Sequence, residues 1–199
     1  MGRYTGPKHK LARREGTNIL EKTSRSLDRR INVLPGITSR RRRKVSDYGL
    51  QLREKQKLKR IYGLMEKQFK KYINLAQKKR GNTEVSLIRL LETRLDNIIY
   101  RLGFARSRFM ARQLVSHGHV LVSGKKVNIP SYNVKIGETV SLSPKLLKNE
   151  IFKSMTEEES KIISFLEKKD SQGVLMRLPE ADEVPNPVNY QLVIEFYSR

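Results

Sequence analysis

The chain has 199 residues, with 42 Lys and Arg against 20 Asp and Glu, a formal net charge of +22 and no cysteine. That composition excludes a disulfide framework and a thiolate metal site, and no run approaches the roughly 20 apolar residues of a spanning helix. So basic a chain calls for a polyanionic partner. "MGRYTGPKHKLARREG" has no apolar secretory core, and Gly6 stands where a myristoylation signal needs Ser or Thr, so nucleic acid is expected rather than membrane, in the cytosol or an organelle stroma.

The charge is graded along the chain. Residues 1–80 hold 25 basic and 6 acidic residues, residues 81–149 hold 11 and 4, and residues 150–199 hold 6 and 10. The net charge therefore falls from +19 through +7 to −4, and the amino-terminal half is the electrostatic footprint.

Residues 1–45 mix Gly, Pro, Ser and Thr with scattered charges and no sustained period. They predict an extended basic arm that orders on its partner, with a short helix near Ile19–Arg29. Gly and Pro in "GRYTGP" set a defined bend. The arm closes with Arg40, Arg41, Arg42, Arg43 and Lys44, a cluster that repels itself unless something negative lies against it.

Three helices are predicted next. Ser46 caps "DYGLQLREKQKLKRIY" and Gly63 stops it. "MEKQFKKYINLAQKK" places Phe69, Tyr72, Ile73 and Ala76 at helical spacing. Thr83 caps "EVSLIRLLETRLDNIIYRL", read as one helix to Gly103, with Leu87, Leu91, Leu95, Ile98 and Leu102 on a single face. Arg94 and Arg101, seven apart, flank that face.

Ser107 caps a short helix that ends near Gly118, with Arg108 and Arg112 four apart near its positive start. The period then becomes two. "HVLV" and "KVNI" flank Ser123–Gly124–Lys125, a hairpin signal, and "YNVKI" with "TVSLS" predicts a further antiparallel pair. Thr156 and Glu159 fit a capping box for a helix through Ile162–Leu166, while "GVLMRL" and "YQLVIEFYS" read as strands around a Pro-rich loop.

Nothing here assembles a catalyst. His9, His117 and His119 lack the companions a metal would need, the carboxylates form no pair in an apolar pocket, and no phosphate-cradling glycine loop is present. RNA binding asks for cations to meet phosphates and planar groups to stack. Arg94, Arg101, Arg108, Arg112, Lys125 and Lys126 can converge on one surface, with Tyr132 presented at a stiff corner and His117 and His119 available to stack or bond. Only Glu84, Glu92, Asp96 and Glu138 oppose eleven cations between 81 and 149, so these arginines are expected to face outward. Short helices and a hairpin suit RNA shape better than a DNA major groove.

"SDYGLQLREKQKLKRIYG", "LLETRLDNIIYRLGFARSRFMARQLVSHGHVLVSGKKVNIPSY", the terminal "NYQLVIEFYSR" and the opening "MGRYTGPKHKLARREG" resemble the small-subunit ribosomal protein S-four family of bacterial type, which contains the S-four RNA-binding module. Residues 145–185 match least. Some members carry four zinc-binding cysteines at positions occupied here by His9, Ala12, Ser26 and Ile31, so the resemblance is to the zinc-free branch, with no metal and no cofactor.

The resemblance implies an α+β fold: a helical domain with an inserted module of two helices and a small antiparallel sheet, behind the basic arm. The divisions expected are 1–45 for the arm, 46–90 for the helical domain completed by 186–199, and 91–185 for the module. It implies a non-enzymatic protein that binds the 5′ domain of small-subunit rRNA at a junction of helices and nucleates assembly. It also implies contact with a neighbouring ribosomal protein at an interface linked to decoding accuracy, and a place near the messenger RNA entry path. The final strand is expected to return to the helical domain. Matched residues for RNA contact are Arg3, Tyr4, Lys8, Arg13, Arg14, Arg40–Lys44, Tyr48, Arg53, Lys55, Lys57 and Arg60. The rivals are an RNA-modifying enzyme or a free RNA chaperone using the same module.

Overall fold

The structure, a computed structural model, describes residues 4–19, 24–36, 45–150, 152, 154, 162–169, 171–185 and 187–198. Arg3, Arg40–Lys44 and the Thr156–Glu159 capping box lie outside the described residues. The chain divides into two compact units, residues 1–84 with 186–199, and residues 85–185.

In the first unit, α1 spans Lys8–Glu15, α2 Arg25–Asp28, α3 Asp47–Ile61 and α4 Glu66–Lys78. The Ser46 hydroxyl accepts from the Gly49 N–H at 3.2 Å, satisfying an orphan donor at the start of α3. α4 buries the predicted stripe of Phe69, Tyr72, Ile73 and Ala76. The arm is more folded than expected. Ala12 and Ile19 are buried, α1 contacts α3, and the Arg13 guanidinium donates from Nε to the Val33 carbonyl at 2.9 Å.

The carboxyl-terminal segment is a helix, not a strand, and packs on α3. We number it α9, Tyr190–Ser198; Asn189 caps it by accepting from the Leu192 N–H at 3.2 Å. Gln51 Nε2 donates to Glu195 Oε2 at 3.1 Å, and the Asn189 N–H donates to Glu54 Oε2 at 2.9 Å. Burial of Val193 and Tyr190 against neighbouring helices outweighs the strand preference of a β-branched, aromatic run.

In the second unit the predicted long helix is broken into α5, Thr83–Glu92, whose residues from Val85 belong here, and α6, Leu95–Arg101. Asn82 rather than Thr83 supplies the cap, its Oδ1 accepting from the Glu84 N–H at 2.8 Å. The break has a tertiary cause. The Val134 N–H donates to the Thr93 carbonyl at 2.9 Å and the Leu95 N–H to the Tyr132 carbonyl at 2.8 Å, so extended backbone inserts where helical bonds would run. α7 is Arg108–Ser116, with Ser107 accepting from the Met110 N–H at 3.3 Å.

The sheet follows: β1 Val120–Val122, β2 Lys125–Lys126, β3 Thr139–Leu142, then α8 Pro144–Leu147, β4 Leu166–Lys169 and β5 Gln172–Leu175. The strand order is β2-β1-β3-β5-β4, all antiparallel, with Val120 opposite Leu142 and Val122 opposite Val140. The hairpin is present, its turn made by Ser123 at φ 47° and Gly124 at φ 78°, both in the left-handed region that a two-residue loop of this kind requires. "YNVKI" does not form the partner of β3; only Asn133 makes a bridge, to Arg94. The partners of β3 are β1 and β5, and Leu166 belongs to β4 rather than to a helix. Leu102 seats on bare backbone at Gly173, where a Cβ would come within 2.4 Å of its Cδ1.

Candidate RNA interface

The second unit holds a buried polar network around the α5–α6 break. Arg94 is 0% exposed and forks onto Asp96, Nε to Oδ1 at 3.0 Å and Nη2 to Oδ2 at 2.8 Å. Arg112 reaches the same carboxylate from α7, Nη2 to Oδ2 at 2.7 Å. Arg101 forks onto Glu92 at 3.0 and 2.9 Å, and Asn97 Nδ2 donates to that carboxylate at 2.8 Å. Arg108 Nε donates to Asn97 Oδ1 at 2.8 Å, with its guanidinium carbon 4.6 Å from the Tyr100 ring centre.

The expectation that Arg94, Arg101, Arg108 and Arg112 face outward is therefore wrong. Two carboxylates hold three guanidiniums, Arg94 and Arg112 on Asp96 and Arg101 on Glu92, because the planar fork of arginine shares oxygens that a lysine ammonium would meet at one point, and the Asn97 amide oxygen takes Arg108. This network ties α5, α6 and α7 to one another. It contains more positive than negative side chains, so it also holds a cationic potential beneath the surface.

The outward groups of this unit are others. His117, Lys125 and Lys126 are exposed and His119 is half-buried. The imidazole centres of His117 and His119 lie 6.2 Å apart. Between them Gly118 stands at φ +70°, and a Cβ there would come within 2.2 Å of Lys126 Cε. The bare glycine thus both turns the chain out of α7 and lets the Lys126 stem lie across it, bringing the two rings and the hairpin cation into one patch. Tyr132 is half-buried; its hydroxyl donates to Glu138 Oε1 at 2.9 Å, a bond that raises its pKa.

In the first unit many predicted contacts are likewise engaged internally. Glu15 is buried and pairs with Arg60, and Arg53 Nη1 lies 3.6 Å from the same oxygen. Burial pushes the Glu15 carboxyl up, against the pull of Arg60 and Arg53. Lys55 is buried, donates to Glu66 Oε1 at 2.9 Å and stands 4.5 Å from the Phe196 ring centre. Lys57 bonds Glu54 and the Pro187 carbonyl. Glu66 also accepts from Lys59 at 2.7 Å and from the Tyr197 hydroxyl at 2.6 Å. Burial opposes its charge, yet the donors from Lys59, Tyr197 and Lys55 outweigh burial and hold the carboxyl at about 2. Burial and the bond to Glu66 push the Tyr197 hydroxyl up.

Tyr4, Arg14 and Tyr48 remain exposed, while Lys8 and Arg13 are half-buried. Tyr48 sits 5.5 Å from Phe196 between ring centres. Sequence reasoning missed an exposed set on α4 and just after it: Lys67, Lys70, Lys71, Lys78, Lys79 and Arg80. Helical periodicity was the available signal, since Lys67, Lys71 and Lys78 fall opposite the buried stripe and Lys70 at the edge of that face.

Residues 93–140 match the family model of the S4 domain, so fold and surface together define an S4-domain protein. Residues 3–92 match the model described as the ribosomal protein S4/S9 N-terminal domain. Similar proteins, each named small ribosomal subunit protein uS4, include those of Dictyoglomus thermophilum and Thermotoga petrophila, both 47% identical across 100% of either chain. That of Chromobacterium violaceum is 46% identical over the same full extent. The chain belongs to the uS4 family of small ribosomal subunit proteins.

Proposed function

We infer that this chain is a structural, non-enzymatic protein of the small ribosomal subunit that binds its rRNA directly. The full-length similarity to proteins carrying that name supports the reading most strongly, because enzymes that borrow an S4 module would share only the module. The surface agrees: Glu15, Glu92 and Asp96 are buried against arginines, and many cations remain outside. Phosphates of folded RNA supply the missing negative charge.

In this reading Tyr4, Arg14, Tyr48, His117, Lys125 and Lys126 reach RNA, with Arg3 and Arg40–Lys44 from the arm. Arg94, Arg101, Arg108 and Lys55 shape the surface instead of touching RNA, and Arg112 does both from the edge of its network. The arm at 1–45, the helical domain at 46–90 with 186–199, and the module at 91–185 divide this work. Nucleation of the subunit body, contact with a neighbouring ribosomal protein, a role in decoding accuracy and proximity to messenger RNA complete the proposal, with the cytoplasmic or organelle ribosome as its place. Sucrose-gradient fractionation of cells expressing the tagged chain tests it. One copy per small subunit is expected; a free pool that touches only stalled particles would favour a chaperone.

A further inference from the structure

We propose that the outer face of α4, in the first unit, is a further RNA surface, a lysine track for backbone phosphates. The inference rests on the rRNA-binding reading above. α4 buries Phe69, Tyr72, Ile73 and Ala76 on one side. At 100° per residue Lys67, Lys71, Asn74 and Lys78 fall within one narrow arc opposite, with Lys70 at its edge, and all five are exposed. Lys79 and Arg80 extend the run past the helix end.

Among the described residues Lys67, Lys70, Lys71 and Lys78 have no ion-pair partner. The one carboxylate in α4, Glu66, is turned away to Lys55, Lys59 and Tyr197. Helix chemistry does not account for the pattern either. Cations near a helix's carboxyl end complement its dipole, which suits Lys78 and Lys79, but Lys67 sits in the first turn, where positive charge is disfavoured. Lys67 also repels Lys70 and Lys71 at spacings of three and four. A polyanion along the face removes both penalties.

The chemistry indicates which part of RNA is met. Lysine ammoniums are mobile point charges on flexible stems, suited to phosphates that shift along a backbone. The α4 face itself offers lysines, Asn74, Gln77 and an exposed Leu75, and no ring. It fits backbone phosphates over about 16 Å of helix from Lys67 to Lys78.

The test is a salt titration of the full chain against a transcript of the small-subunit rRNA 5′ domain. Wild type is compared with a variant carrying Lys67→Gln, Lys70→Gln, Lys71→Gln and Lys78→Gln. The slope of log K against log salt should flatten by roughly 3 in the variant, at about 0.7 to 0.9 for each of four neutralised phosphates. Superimposable slopes would overturn the track while leaving the rRNA reading intact; failure of the wild type to bind would sink both. A readout that needs no folded variant is acetylation of the native protein with and without transcript, followed by peptide mass analysis. Bound RNA should slow modification of these four lysines several-fold, and equal rates while Lys125 and Lys126 are protected would refute the proposal.

Discussion

Asp96 accepts from both Arg94 and Arg112, and Arg94 has no access to water. Removing that carboxylate strands a buried guanidinium, so Asp96→Ala should cost about 3–5 kcal/mol of stability by urea denaturation of the full chain. Arg108→Gln with Arg112→Gln should likewise lower the unfolding midpoint, because Arg108 spans Asn97 and Tyr100. An unchanged midpoint with weakened RNA affinity would instead mean that both side chains act outward. Glu66 makes a pH prediction. Its folded pKa is depressed to about 2, so its contribution is complete above the ordinary carboxylate value near 4.5 and is lost as pH falls through about 2. Glu66→Gln should flatten the acid limb of stability in that window, measured by denaturation between pH 2 and 7, and parallel curves for the two proteins would contradict the assignment.

At the scale of elements, the passage from α7 to β1 depends on Gly118. Gly118→Ala places a Cβ in the left-handed region and against Lys126, and should destabilise by about 1–2 kcal/mol while displacing the hairpin cation. Thermal unfolding and RNA affinity of that variant should therefore fall together. The start of α3, all of α4 and the start of α7 were legible because their caps and apolar stripes are local. The α5–α6 break was not. The stripe from Leu87 to Leu102 runs on without Gly or Pro, and the interruption comes from backbone bonds to Tyr132 and Val134, far along the chain. α9 was misread from its β-branched and aromatic run, although Asn189 was a usable cap signal.

For the molecule as a whole, the sign and gradient of charge were plain in the sequence, and so was the family resemblance. Which cations face outward was not, because pairing is tertiary. Glu92 and Asp96 capture arginines from α6 and α7, and Glu15 captures Arg60 from α3, pairings that no local pattern announces. Arg40–Lys44 adds a prediction at this scale: replacing all five by Gln should flatten the salt slope by roughly one unit for each phosphate no longer neutralised. The central claim is that the exposed positive surface matches folded small-subunit rRNA, and equilibrium binding of the intact chain to the 5′-domain transcript, set against an unrelated structured RNA of equal length across a salt series, tests it most directly. We predict tight, steeply salt-dependent binding that prefers the ribosomal transcript; equal affinity for both RNAs, or none for either at moderate ionic strength, would contradict it.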